Sequence, residues 1–220
     1  MIQGFITKLI QALKGFTVPV SAASPVSPYL NGSASGYYRE VNQEIWNVYR
    51  AAAQNALDRG DLARAEEFWL AALEQVEDDL GVDSRLMLTL ENLASVLWYQ
   101  ERYAQAAPIM RRLLAIYRSE YGEEHIDVGI IANNTAMLYH AWGKHKEAEP
   151  FYKTALEIKR QALGEDHPDV VAILGNYANL LIMLNRELEA YELLDFIGEL
   201  EEASLERSRL SRPEGRQQRR

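Results

Sequence analysis

The sequence predicts an all-α protein, an array of helix-turn-helix units copied end to end. Three observations predict it. First, three segments align without a gap at a spacing of 42 residues: Ala94, Ala136 and Ala178 are in step, as are Asn92, Asn134 and Asn176, and Ala106, Ala148 and Ala190. Second, the connecting segment recurs, as Tyr121-Gly-Glu-Glu-His-Ile-Asp-Val128 and again as Leu163-Gly-Glu-Asp-His-Pro-Asp-Val170. Third, from about Tyr37 the apolar residues keep a helical period, punctuated by turn formers. Self-similarity at one fixed register signals a repeat array.

In chain order, Met1 to Phe16 shows a short amphipathic pattern. Ile2, Phe5, Ile6, Leu9, Ile10 and Leu13 form an apolar stripe, with Gln3, Thr7, Lys8, Gln11 and Lys14 opposite. A helix this short is marginal alone in water, so it must lie on something. Three readings stand: it docks on the array or a partner, it lies in a membrane interface aided by Lys8 and Lys14, or it is a weak secretory signal. Residues 17–38, with Pro19, Pro25 and Pro28, read as a flexible linker. The array is expected over 39–205, with repeats at about 45–84, 86–126, 127–168 and 169–205. Residues 206–220 are expected as a basic disordered tail.

Within the array, helix pairs are placed at 40–58 and 62–79, 86–100 and 103–120, 127–142 and 145–162, and 169–184 and 187–205. Gly60, Glu101-Arg102, Gly143 and Asn185-Arg186 mark the turns within pairs. Gly81, Gly122 and Gly164 stand where helices should end, because glycine tolerates the left-handed backbone of a C-cap. Asp127 and Asp169 are expected as N-caps, with Pro168 suited to a helix start. The first repeat is one residue shorter, and its connector Leu80-Gly-Val-Asp-Ser84 lacks the histidine. The fourth is looser, with Glu187 and Glu192 at the aromatic and proline positions. Its last helix, carrying Glu199, Glu201, Glu202 and Glu206, is expected to cap the array with a polar face.

Composition narrows the function. Hydrophobic residues make up 48% of the chain, enough for a core. There is no cysteine, which removes disulfides, thiol chemistry and thiolate zinc sites, and fits a reducing, cytoplasmic setting. Net charge is −9, but the last sixteen residues carry six Arg and two Glu, leaving −13 on the rest. An acidic body argues against nucleic-acid binding by the array, since phosphate needs Lys and Arg. The basic tail reads as a solubilising segment or a contact for an acidic partner, nucleic acid or anionic lipid. No run approaches the roughly 18–20 apolar residues of a membrane span.

The segment Asn134-Thr-Ala-Met-Leu-Tyr-His-Ala-Trp-Gly-Lys-His-Lys-Glu-Ala-Glu-Pro-Phe-Tyr-Lys-Thr-Ala-Leu156 resembles the tetratricopeptide repeat in its 42-residue, kinesin-light-chain-like form. The resemblance covers about 45–205 and implies a right-handed α-solenoid of about four units. Small residues stand where two helices must cross closely: Ala53, Ala94, Ala136 and Ala178 on first helices, Ala65, Ala106, Ala148 and Ala190 on second helices. Trp69, Met110 and Tyr152 fill the bulky slot. The resemblance further implies that first helices line a concave groove, where Asn92, Asn134 and Asn176 bond the backbone of a bound peptide. A carboxamide both donates and accepts, so it suits a main chain of any sequence. The same face is expected to present Glu91, Ser95, Trp98 and Tyr99, then Asn133, Met137, His140 and Ala141, then Asn179, Ile182 and Met183. The competing reading gives the asparagines to bridges between repeats.

The expected function is therefore a non-enzymatic adaptor that binds a protein or peptide partner. The alternative is a structural subunit tethered to a membrane or larger assembly through residues 1–16. No cofactor or metal is expected. His125 and His167 recur as part of the connector and read as caps, and His140 and His145 lack a nearby ligand cluster. No nucleophile elbow, Walker loop or dinucleotide fingerprint is present. Trp46, Trp69 and Trp142 read as core or rim.

Overall fold

The computed structural model describes the backbone of residues 32–76 and 84–210, and the side chains of 41–76 and 84–207. Residues 1–16, most of the expected linker, the Gly81 connector and the tail beyond 210 lie outside the described residues. Among the described residues there are helices and no strands. They are α1 (Gly32–Asp58), α2 (Leu62–Glu74), α3 (Ser84–Tyr99), α4 (Tyr103–Tyr121), α5 (Ile126–Ala141), α6 (His145–Leu163), α7 (Pro168–Met183) and α8 (Glu187–Leu210). They make four consecutive helix-turn-helix pairs, an all-helical repeat solenoid.

Both ends of the array are longer than expected. α1 begins at Gly32, inside the stretch assigned to the linker. Beyond Pro28 no residue bars helical φ, so the small residues continue the turn set by the helix behind them. α8 continues to Leu210, taking in the first residues of the expected tail.

The chain divides into two compact units at Ile116/Tyr117, within α4. In the first, Ala53 and Ala65 are wholly buried and Trp69 is 2% exposed. The small side chains let α1 and α2 approach, and the tryptophan fills the space beside them. Trp46 Nε1 donates to Thr89 Oγ1 at 2.9 Å, joining α1 to α3. Thr89 in turn donates to the Arg85 carbonyl, so the pair is satisfied in the core. Asp61 caps α2 by accepting from the Arg64 amide.

In the second unit, Ala136, Ala148, Ala178 and Ala190 are wholly buried, and Tyr152 is 1% exposed. Tyr139 and Phe151 stack across the α5–α6 pair at 5.6 Å. Gly129 lets α6 come close: a Cβ there would stand 3.0 Å from Ile158 Cγ2. The turns take up left-handed backbone at Gly60, Glu101, Gly143 and Asn185, the same position in all four pairs. Gly122 and Gly164 end their helices at positive φ, as expected.

The N-caps are corrected. His125 and His167, not Asp127 and Asp169, hold the cap position, each accepting at Nδ1 from the amide two residues on, at 3.3 and 3.2 Å. The helices start one residue before each aspartate, so the aspartate supplies the capped N–H. Its charge still lies in the first turn, where the helix dipole favours it. The end helix is also less polar than expected. α8 leaves Leu188 81%, Tyr191 63% and Leu194 42% exposed, interleaved with Glu187, Glu189, Glu192 and Asp195.

Candidate functional site

The residues assigned to a binding face lie on the first helices of their pairs. In the second unit, α5 and α7 adjoin one another. α5 exposes Asn134, Met137 and Ala141, and α7 exposes Asn179, Ile182 and Met183. Asn133 is half-buried, its Nδ2 directed at Met137 Sδ at 3.5 Å. Asn176 is half-buried as well. His140 is half-buried, with Nδ1 3.3 Å from the Tyr152 hydroxyl and its ring edge-on to His145. Burial, then the neighbouring His145, lowers its pKa, so its ring is a neutral polar group near pH 7.

In the first unit, α3 carries the matching positions. Asn92 is half-buried and donates to the Leu88 carbonyl of its own helix at 2.8 Å. Ser95 donates likewise to the Glu91 carbonyl at 2.9 Å. Glu91 is half-buried. Trp98 is half-buried and meets Tyr103 edge-on at 5.5 Å, while Tyr99 is 70% exposed. The asparagines are thus not alike: the Asn92 amide is turned onto its own backbone, whereas Asn134 stands in solvent. Trp46 and Trp69 are core residues, and Trp142 is a rim residue, 36% exposed.

Sequence reasoning missed an ionic network in the second unit. Glu149 Oε1 accepts from Lys153 and Arg186, each at 2.8 Å, and from the Tyr177 hydroxyl at 3.0 Å. Arg186 also grips Glu189 with two hydrogen bonds. Burial pushes the Glu149 carboxyl up, but the hydrogen bonds from Lys153, Arg186 and Tyr177 overcome it and hold the group at about 2. The first unit has the same device, Arg102 donating to Glu66. A signal was present. Each glutamate follows a close-packed alanine, Ala65 or Ala148, and each arginine follows a left-handed turn residue, Glu101 or Asn185. The intervening copy has Ala107 and Lys144 there, which hides the pattern.

Also unanticipated is an open groove of about 750 Å³ in the second unit, lined by α6, α7, α8 and two connectors. Leu156, Leu174, Leu193 and Tyr177 supply apolar surface, and Glu124, Glu157, Glu165, Lys153 and Arg160 the charge. Among the described residues no group of three His, Cys, Asp or Glu could hold a metal ion. Nor is any described helix long and apolar enough to cross a membrane.

A family profile described as tetratricopeptide repeat matches residues 85–161 and 143–195, together half of the chain. No curated protein matches the chain significantly. Among solved structures, a Podosopora anserina protein described as a kinesin light chain with nearly identical TPR-like repeats is similar at 17% identity. That match has a TM-score of 0.62 and covers 92% of this chain and 88% of that one. BtubC (BKLC) from P. vanneervenii is similar at 17% identity and TM-score 0.51, covering 86% and 94%. A repeat protein from Parabacteroides merdae matches at 23% identity and TM-score 0.56, covering 72% of this chain and 54% of that one.

Proposed function

The chain belongs to the tetratricopeptide-repeat family, a class of interaction scaffolds not associated with catalysis, and from that premise we propose that it is an adaptor of the 42-residue, kinesin-light-chain-like type that binds a segment of a partner protein on its first-helix surface. The observation that carries the reading is the exposed set on α5 and α7. Asn134 and Asn179 offer donors and acceptors to a main chain, beside Met137, Ile182 and Met183. Methionine is adaptable, so such a floor accepts apolar anchors of varied shape. A burial-neutralised His140 adds polarity without charge. The expected ligand is an extended or helical segment with apolar anchors. Asn176 holds the same repeat position as Asn134 and is proposed to contribute with it, and Asn92 is proposed to play the same part in the first unit.

The test uses peptides selected from a random display library on the full chain, with affinity read by fluorescence anisotropy. Each carboxamide bond is worth about 0.5–1.5 kcal/mol. Asn134→Ala with Asn176→Ala is therefore expected to weaken binding roughly 5- to 150-fold, with helicity by circular dichroism unchanged. Unaltered affinity in the double variant rules out peptide binding through these asparagines.

A further inference from the structure

The second helix of a pair has two working faces. One closes on the first helix of its own pair, at Ala65, Ala148 and Ala190. The other receives the first helix of the next pair. In α2 that onward face is Glu66, Trp69 and Leu73, placed one, four and eight residues after Ala65. Trp69 and Leu73 are buried, and Glu66 accepts from Arg102 in the turn after α3. In α6 it is Glu149, Tyr152, Leu156 and Lys159, placed one, four, eight and eleven residues after Ala148. α7 covers them. The Tyr177 hydroxyl donates to Glu149 at 3.0 Å, the Tyr177 ring lies 6.2 Å from that of Tyr152, and Lys159 donates to Asp169 in the first turn of α7 at 2.6 Å.

In α8 the same places hold Tyr191, Leu194, Gly198 and Glu201, with Leu205 a turn further on. Among the described residues no helix covers them. Tyr191, Leu194, Glu201 and Leu205 are exposed, and a Cβ on Gly198 would meet nothing within 4 Å. Tyr191, Leu194, Gly198 and Leu205 recur at i, i+3, i+7 and i+14, the period at which one helix packs on another. Glycine where α6 has Leu156 leaves a notch between Leu194 and Leu205 that a large side chain from outside would fill.

Charge specifies what fits. Glu187, Asp195, Glu202 and Glu206 are exposed beside the stripe. Among the described side chains of α8 the single cation is Arg207, and Asp166 holds it at 2.7 Å. A second copy of α8 would set acid against acid, which is repulsive. The complement is an amphipathic helix with lysines or arginines along its apolar stripe. At one position the sign is reversed from the contact inside the array. α6 offers Lys159 to Asp169 of α7, whereas α8 offers Glu201 at the same place, so the incoming helix carries a cation in its first turn.

We propose that α8 is a docking site for a basic amphipathic helix of a partner protein, seated on Tyr191, Leu194, Gly198 and Leu205 as α7 is seated on α6. The site is separate from the first-helix surface on α5 and α7 and does not rest on it.

The probe is a fluorescent peptide of about 18 residues, five helical turns, made of leucine on one face and lysine elsewhere, its first turn included. Binding to the full chain is read by anisotropy, and the seat by amide shifts in nuclear magnetic resonance spectra. Shifts are expected along α8 from Tyr191 to Leu205. Tyr191→Ser with Leu194→Ser is expected to weaken binding roughly 10- to 100-fold, and Asn134→Ala with Asn176→Ala to leave it unchanged. Glu201→Lys is expected to weaken it about 2- to 5-fold, a loss recovered by a peptide with glutamate in its first turn. These α8 side chains are exposed, and circular dichroism confirms that the variants fold. Absence of binding, or equal affinity for the Tyr191→Ser/Leu194→Ser variant, overturns the proposal. So does a Glu201→Lys loss that the glutamate peptide leaves in place. Sedimentation of the full chain as a dimer that Tyr191→Ser/Leu194→Ser dissociates would put a second copy on this face and overturn it equally.

Discussion

Neutralising Glu149 is the sharpest test of how the second unit is held together. Its carboxylate is 18% exposed and joins α6 to the turn before α8 through Arg186, and to α7 through Tyr177. Burial disfavours its charge, yet three donors hold the group at about 2 against an ordinary value of 4.5. That difference corresponds to roughly 3 kcal/mol. Lys153 and Arg186 are both partly in water, at 59% and 33% exposure, so screening reduces the value to about 1–2 kcal/mol. Because the folded pKa is depressed, the stabilisation is complete above the ordinary value of 4.5 and is lost as pH falls toward about 2. Glu149→Gln is therefore expected to destabilise the chain by about 1–2 kcal/mol at pH 7, or about 2–4 °C in Tm for each kcal/mol. The gap from wild type should stay constant down to about pH 5 and narrow below it. Urea unfolding followed by circular dichroism, at pH 7 and at steps toward pH 3, measures both. Superimposable curves at pH 7, or a gap that does not narrow below pH 4.5, would refute the reasoning.

Other consequences can be read with the same assay. Glu101 holds a left-handed backbone at φ 58 that costs a residue with a Cβ about 1–2 kcal/mol, so Glu101→Gly should gain roughly 0.5–1 kcal/mol net of chain entropy. Asn185→Gly should gain less, because asparagine tolerates that conformation. Gly175→Ala meets nothing within 4 Å and should stabilise α7 by up to about 1 kcal/mol. Gly129→Ala, whose Cβ would press on Ile158, should show no gain; equal stabilisation of the two would disprove the close α5–α6 approach. His167→Ala should cost about 1 kcal/mol and His167→Asn much less, since asparagine also caps. Equal losses would deny the imidazole its capping role.

Much of the architecture was readable because it rests on local, periodic signals. The close-packed alanines are buried as the register demanded, from Ala53 to Ala190. The turn position was legible even at Glu101 and Asn185, where no glycine marks it. The connector histidines were legible as caps, but the aspartates stand two positions beyond the cap assigned to them. A carboxylate in the first turn and one at the cap look alike in a sequence, and only the helix start separates them. The site was less legible. Asn92 and Asn134 occupy one repeat position, yet one bonds its own helix and the other faces solvent, a choice of rotamer that no spacing encodes.

The amino-acid order alone determined the number of helices in the array, their pairing, and the small residues at their crossings, because neighbours at a fixed interval dictate helical faces and turns. Only the tertiary structure decided which charges meet. Glu149, Tyr177 and Arg186 are 28 and 37 residues apart and come together only when α6, α7 and the turn before α8 pack. The groove with its carboxylate rim is likewise a product of packing, since its walls come from three helices and two connectors. Local sequence sets the backbone of each helix, but a space shared by several helices exists only after they are packed.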